Sequence, residues 1–310
     1  MTVRDLILVS LGNSRTRLAH AKLTGSAKAG ELAPATVIDS DQTQQLVDQI
    51  VKLADTLEAD AARIVIASVN EPACAALLAK LAGLPGLPAL VRLTQTGSTG
   101  ASAANVLGLK IPIATELDPG ATPGVDRLLC ALAAHDRSHT SCVVIDAGTA
   151  VTVDLVGKFG AFQGGVIAPG LRSMLHAMNA AASALPKLEV PRSEADAVPA
   201  GPIGRNTRDA MLLGAIEAVR GLSHRMIDRY AEVEGGYPRV IATGGDAALL
   251  FRTDELIEHI VPDLVLIGMQ TAWIRSEFPG AFEGQEAGGF EDDELDDGDD
   301  FGDPMTDERP

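Results

Sequence analysis

Two short stretches of this chain carry residue types suited to holding an anion. Val9-Ser10-Leu11-Gly12-Asn13-Ser14-Arg15-Thr16 and Ile145-Asp146-Ala147-Gly148-Thr149-Ala150-Val151-Thr152 share one plan. Each is an apolar strand, then a glycine with small hydroxyl or amide residues, then a returning strand. Glycine lets backbone approach a phosphate closely, and adopts positive φ where the turn requires it. Successive N–H groups in such a turn form an anion-holding concavity. Ser, Thr and Asn side chains add neutral donors. Two copies facing each other can grip a triphosphate from both sides, whereas either alone reads equally well as an ordinary hairpin. Thr243-Gly244-Gly245-Asp246, after a further strand, offers room beside a flat base or ribose.

The elements that must position these turns follow from periodicity. Apolar, β-branched runs predict strands over 6–11, 16–23, 35–39, 63–69, 89–93, 142–147, 151–156, 164–168, 240–243 and 264–267. Helical spacing predicts helices over 41–57 with Asp41 as cap, 72–81, 125–135, 171–184 and 207–232, with a last one reaching Phe278. Strands alternating with helices, with hairpins mixed in, indicate an α/β fold.

Composition narrows the function classes. The chain has 310 residues, 46% hydrophobic but only 3% aromatic, so its core must be built from Ala, Val, Leu and Ile. Of its net charge of −17, the segment from Ala281 onward holds −12, from 13 acids and one arginine. No basic stripe exists, which argues against a nucleic-acid surface. The acidic tail, 279–310, cannot bury enough apolar area to offset its ordering entropy and is expected to be disordered. Cys74, Cys130 and Cys142 lie in apolar segments without metal-type spacing and read as buried free thiols of a reducing compartment. The six histidines form no spaced cluster. The first apolar run is too short for a signal sequence and no membrane-length stretch occurs, so no membrane association and a cytoplasmic location are expected.

The ordered series L-G-N-S-R (11–15), G-V-D-R (124–127), D-A-G-T-A-V-T-V-D (146–154), G-G-V-I-A-P-G (164–170), A-L-P (184–186), G-R-N-T (204–207), T-G-G-D (243–246) and P-D-L-V-L-I-G (262–268) resembles the type III pantothenate kinases of the actin-like, sugar-kinase-like ATPase superfamily. The resemblance implies a duplicated actin-like (ribonuclease H-like) α/β fold with the active site between the halves, here 1–112 and 113–278. It implies transfer of the ATP γ-phosphate to the primary hydroxyl of pantothenate, the first step toward coenzyme A. It also implies a homodimer that uses potassium or ammonium together with magnesium.

By position, the resemblance assigns Ser10, Leu11, Gly12, Asn13, Ser14, Arg15, Thr16 and Arg17 to the ATP phosphates, with Thr149 touching ATP. It assigns Gly124, Val125, Asp126 and Arg127 to pantothenate, Asp126 as proton acceptor, Thr207 to pantothenate and Asp146 to the monovalent cation. Arg127 is suited to a carboxylate through its planar fork. Asp126 also suits a helix start on dipole grounds, and Thr207 reads equally as a helix cap. An unpaired buried carboxylate at 146 is costly, and a cation offsets that cost.

The sequence departs from the family at two places. Ser10 stands where the family has the Asp that helps hold magnesium, and Thr115–Pro123 lacks the aromatic that packs on pantothenate. Two functions of different class therefore stand, an active pantothenate kinase and a weakened nucleotide-binding homologue with a regulatory or interaction role, and the missing aromatic also permits a kinase for another small hydroxyl-bearing acid or sugar.

Overall fold

The chain is described by a computed structural model over residues 3–24, 30–98, 106–191 and 201–279. The acidic tail lies outside the described residues, apart from position 279. The first sheet holds β1 (Asp5–Leu11), β2 (Arg15–Lys22), β3 (Thr36–Asp39), β4 (Ala62–Ser68), β5 (Ala89–Thr94) and β6 (Val106–Lys110). Helices α1 (Thr43–Ala54) and α2 (Glu71–Leu81) lie within this stretch. After α3 (Val125–Ser138), the second sheet holds β7 (Cys142–Ala147), β8 (Ala150–Val156), β9 (Phe162–Pro169), β10 (Arg239–Thr243) and β11 (His259–Ile260). Its helices are α4 (Leu171–Ala181), α5 (Thr207–Glu234), α6 (Ala247–Phe251) and α7 (Leu264–Glu277). None of the described helices is long and apolar enough to cross a membrane.

The two sheets repeat one topology. The first runs β3-β2-β1-β4-β5-β6 and the second, read the same way, β9-β8-β7-β10-β11. In each, the leading strand pairs antiparallel with the next and parallel with the fourth. This is the duplicated actin-like arrangement expected from the sequence.

Five layers result. Helices α1 and α2 cover the outer face of the first sheet, and α4, α5 and α6 that of the second. Helices α3 and α7 lie between the sheets and pack against both. Their closeness depends on Gly268, where a Cβ would run into the Leu129 carbonyl. Strands β1 and β7 are buried on both faces, which explains their near-continuous apolar runs. Each fully buried Leu or Ile there contributes roughly 1.5–3 kcal/mol. Cys74, Cys130 and Cys142 are buried free thiols.

Several local expectations are corrected. Leu264–Ile267 is the first turn of α7, not a strand, and the edge strand nearby is β11. A short apolar run has no period that separates a strand from a helix buried all round. Strand β6 was not expected; its partly exposed Val-Leu-Gly-Leu-Lys shows little alternation. Helix α1 begins after Gln42 rather than being capped by Asp41.

Candidate active site

Alternation along β1 sends Leu6 and Leu8 inward to the central layer and Ile7 and Val9 outward. Ser10 continues the inward series. The same parity in β7 places Asp146 with Cys142 and Val144. The two strands therefore end with Ser10 and Asp146 on inward faces, where α3 begins. A cleft of about 240 Å³ opens at this point. Its walls include the first turn from Ser10 to Arg15, Arg17, Val125 and Asp126, the second turn, and the loop Gly244–Asp246. Of the expected site residues, Thr16, Gly124, Arg127 and Thr207 do not line it.

The two turns differ by one residue. Leu11 pairs with Thr16, so four residues form the first turn; Ala147 pairs with Val151, so three form the second. Gly12 N–H donates to the Arg15 carbonyl at 3.1 Å, and Gly148 N–H to the Ala150 carbonyl at 3.0 Å. Neither glycine has positive φ. Gly12 is required by closeness instead: a Cβ there would lie 2.7 Å from the Arg15 oxygen. At the tips, Ser14 Oγ and Thr149 Oγ1 are 2.9 Å apart.

Register makes Ser10 opposite Arg17 the counterpart of Asp146 opposite Thr152. Directly opposed residues share a face. One half thus presents a hydroxyl beside a guanidinium, and the other a carboxylate beside a hydroxyl. The charge of the pair is inverted between the halves. Arg17 Nη1 reaches Asp263 Oδ1, at the start of α7, at 2.7 Å.

Asp146 lines the cleft and is partly buried. Desolvation pushes its carboxyl up to about 6, with Asp126 adding to the rise and Arg17 opposing it. Thr152 Oγ1 is buried with no hydrogen-bond partner. A carboxylate and an unused oxygen on one face fit a monovalent cation. Magnesium held by the first turn does not fit. Ser10 is neutral, Arg17 stands opposite, and among the described residues no three Asp, Glu, His or Cys side chains gather to hold a metal. Mg2+ is ordinarily bound through one or two carboxylates together with substrate phosphates.

Asp126 lies in the first turn of α3, whose cap is Gly124. Its Oδ1 accepts the Arg127 backbone N–H at 2.8 Å. A Cβ at Gly124 would collide with that oxygen. Burial pushes the Asp126 carboxyl above the ordinary carboxylate range, against the pull of the Arg127 N–H and charge. The helix-start role and the cleft position therefore coexist in one residue.

Arg127 does not line the cleft, and the Nε–Nη2 edge of its fork is directed at Asp154. Its Nε lies 3.1 and 3.0 Å from the two oxygens of buried Asp154, and Nη2 completes the ion pair. That edge of the fork is not available to a ligand carboxylate. Thr207 is the first residue of α5, and the cap is Asn206, whose side chain accepts the Asp209 N–H at 2.9 Å. Thr207 lines a separate, open hollow with Met178, Leu185 and Arg205.

Sequence reasoning missed Arg172 and Asp246 as cleft residues. Burial raises the Asp246 carboxyl, with Arg15 and Arg172 opposing the shift. The T-G-G-D run carried the signal for Asp246; Arg172, two residues beyond a Pro-Gly pair, had none.

A family model described as type III pantothenate kinase matches residues 6–229. A type III pantothenate kinase of Akkermansia muciniphila is 42% identical over 149 residues, covering 48% of this chain and 59% of that protein. One from Saccharopolyspora erythraea is 35% identical over 173 residues, covering 54% and 63%. The chain thus matches about three fifths of the length of these curated relatives. A solved structure described as a conserved Baf family transcriptional activator from Campylobacter jejuni is similar in fold, with TM-score 0.50 at 18% identity over 88% of this chain and 98% of that one. With the family model spanning well over half its length, the chain belongs to the type III pantothenate kinase family.

Proposed function

We propose that this chain transfers the γ-phosphate of ATP to the primary hydroxyl of pantothenate, the first step toward coenzyme A. The observation that carries this reading is the meeting of Asp126 with both glycine turns in one cleft. Backbone N–H groups and hydroxyls of the two turns, from Ser10 to Arg17 and at Thr149, grip the triphosphate from either side. The acceptor lies against Gly124–Arg127 and extends toward Thr207. Its hydroxyl oxygen bonds to the γ-phosphorus as the bond to the β-phosphate oxygen breaks and ADP leaves. The hydroxyl proton passes to Asp126. Phosphoryl transfer depends mainly on positioning and on offsetting charge.

Asp146 and Thr152 are the residues to hold potassium or ammonium, which supplies positive charge beside the phosphates. The first turn offers no carboxylate to magnesium. A homodimer in the cytoplasm, with halves 1–112 and 113–278 enclosing the cleft, completes this reading.

A weakened nucleotide-binding homologue is the less favoured alternative. Ser10 alone argues for it, and Asp126, Asp146 and Thr149 gathered in one cleft argue against it. The deciding experiment follows ADP release with ATP, potassium or ammonium, and magnesium, with and without pantothenate. Pantothenate-dependent ADP formation is expected. Its absence, with nucleotide binding intact, would leave the weakened homologue.

A further inference from the structure

A buried ion pair beside the cleft includes one residue, Asp154, that the chemistry above does not use. Asp154 of β8 is 1% exposed, and Arg127 meets both its oxygens. The guanidinium also lies over the Phe162 ring, 5.3 Å from its centroid. Asp154 pairs in register with Gly165 of β9, where a Cβ would strike the Asp154 carboxylate. The Tyr230 hydroxyl donates to the neighbouring Val153 carbonyl at 3.0 Å and ties β8 to α5. Strands β8 and β9 and helix α5 thus converge to keep one guanidinium in one orientation. A paired buried charge of this kind confers geometry more than stability.

The consequence runs along the chain by one residue. Arg127 supplies the backbone N–H that holds Asp126 Oδ1. A guanidinium fixed in place therefore also fixes the turn that aims Asp126 into the cleft.

We propose that Asp154 is a positioning residue of the acceptor site. It occupies the Nε–Nη2 edge of Arg127, so that the guanidinium meets the acceptor through Nη1 alone, and it steadies the α3 turn carrying Asp126. The proposal rests on the kinase reading. It differs in sign from the simple carboxylate clamp, in which the acceptor would take the whole fork and Asp154 would compete with it.

The test compares wild type with Asp154→Asn, which keeps the volume and one acceptor oxygen but removes the charge. The expected result is an acceptor KM raised about 10- to 100-fold, the range for a hydrogen bond to a charged group, with the KM for ATP unchanged. Calorimetric binding of pantothenate should weaken in parallel. An acceptor KM that is unchanged or lowered in the folded variant overturns the proposal. Where Asp154→Asn does not fold by its melting curve, Phe162→Leu decides. It keeps both charges and removes the ring beneath the guanidinium, so the acceptor KM should rise about 2- to 5-fold; an unchanged value overturns the proposal. Wild type without pantothenate turnover removes the kinase reading and this proposal together. Wild-type turnover with an insensitive acceptor KM removes this proposal only.

Discussion

Ser14 Oγ and Thr149 Oγ1 lie 2.9 Å apart and join the tips of the two glycine turns, one from each sheet. Both residues line the cleft. On the proposed function, a phosphate chain between the turns would offer each hydroxyl an anionic oxygen to donate to.

Thr149→Val keeps the shape and removes that donor. Charge-assisted hydrogen bonds contribute about 1.5–3 kcal/mol, so the KM for ATP should rise at least tenfold, by the usual 1.4 kcal/mol per decade. The acceptor KM should stay the same. Saturation curves in each substrate check this, and an unaltered ATP curve would place the hydroxyl away from the phosphates.

Asp126→Asn should lower kcat by about 10²–10⁴-fold, the usual contribution of a positioned base, while nucleotide binding by calorimetry is retained. Burial raises the Asp126 carboxyl in the wild type. The protonated acid cannot accept the hydroxyl proton, so the rate should fall with decreasing pH from above the ordinary carboxylate range. Wild-type-like turnover in Asp126→Asn would remove it as the base.

Asp146 connects cation binding to stability. Its carboxyl rises from an ordinary 3.8 to about 6 through burial. The native state therefore holds the extra proton between those values, and stability falls as pH rises through about 6. The shift corresponds to roughly 3 kcal/mol. In cation-free buffer Asp146→Asn should melt above wild type at pH 8 and match it at pH 4. Potassium should raise the wild-type melting temperature at pH 8 and leave the variant unmoved. A potassium response in Asp146→Asn would place the cation elsewhere.

The charge-inverted pair Ser10 and Arg17 predicts how magnesium is handled. Ser10→Asp restores a carboxylate directly opposite Arg17. The magnesium concentration giving half-maximal turnover should fall, because the first turn then offers an anionic ligand. A magnesium titration of both proteins reads this, and coincident curves would show that position 10 does not face the metal. Arg17→Met should weaken ATP binding in chelator, with a stability cost of about 1 kcal/mol or less, since the Arg17–Asp263 pair is partly exposed.

The sequence by itself determined the parts whose cause is local. Apolar runs ending in glycine marked β1 and β7, helical spacing marked α1, α3 and α5, and the motif order pointed to the duplicated fold, to Asp126 as proton acceptor and to Asp146 as cation ligand. The tertiary structure decided the partners. Residue-by-residue alignment matched Thr16 to Thr152, but the hydrogen-bond ladders match Thr16 to Val151 and Arg17 to Thr152. The cap of α5 went to Asn206, and the fork of Arg127 went to Asp154, 27 residues along the chain. Leu264–Ile267 became helix because that segment is buried between two sheets that each half supplies. Strand and helix signals depend on neighbours within a turn or two, so they are written in the sequence. Register, and the choice of partner for a buried charge, depend on which distant strands share a ladder and exclude water together, and those are settled only when both halves close on α3 and α7.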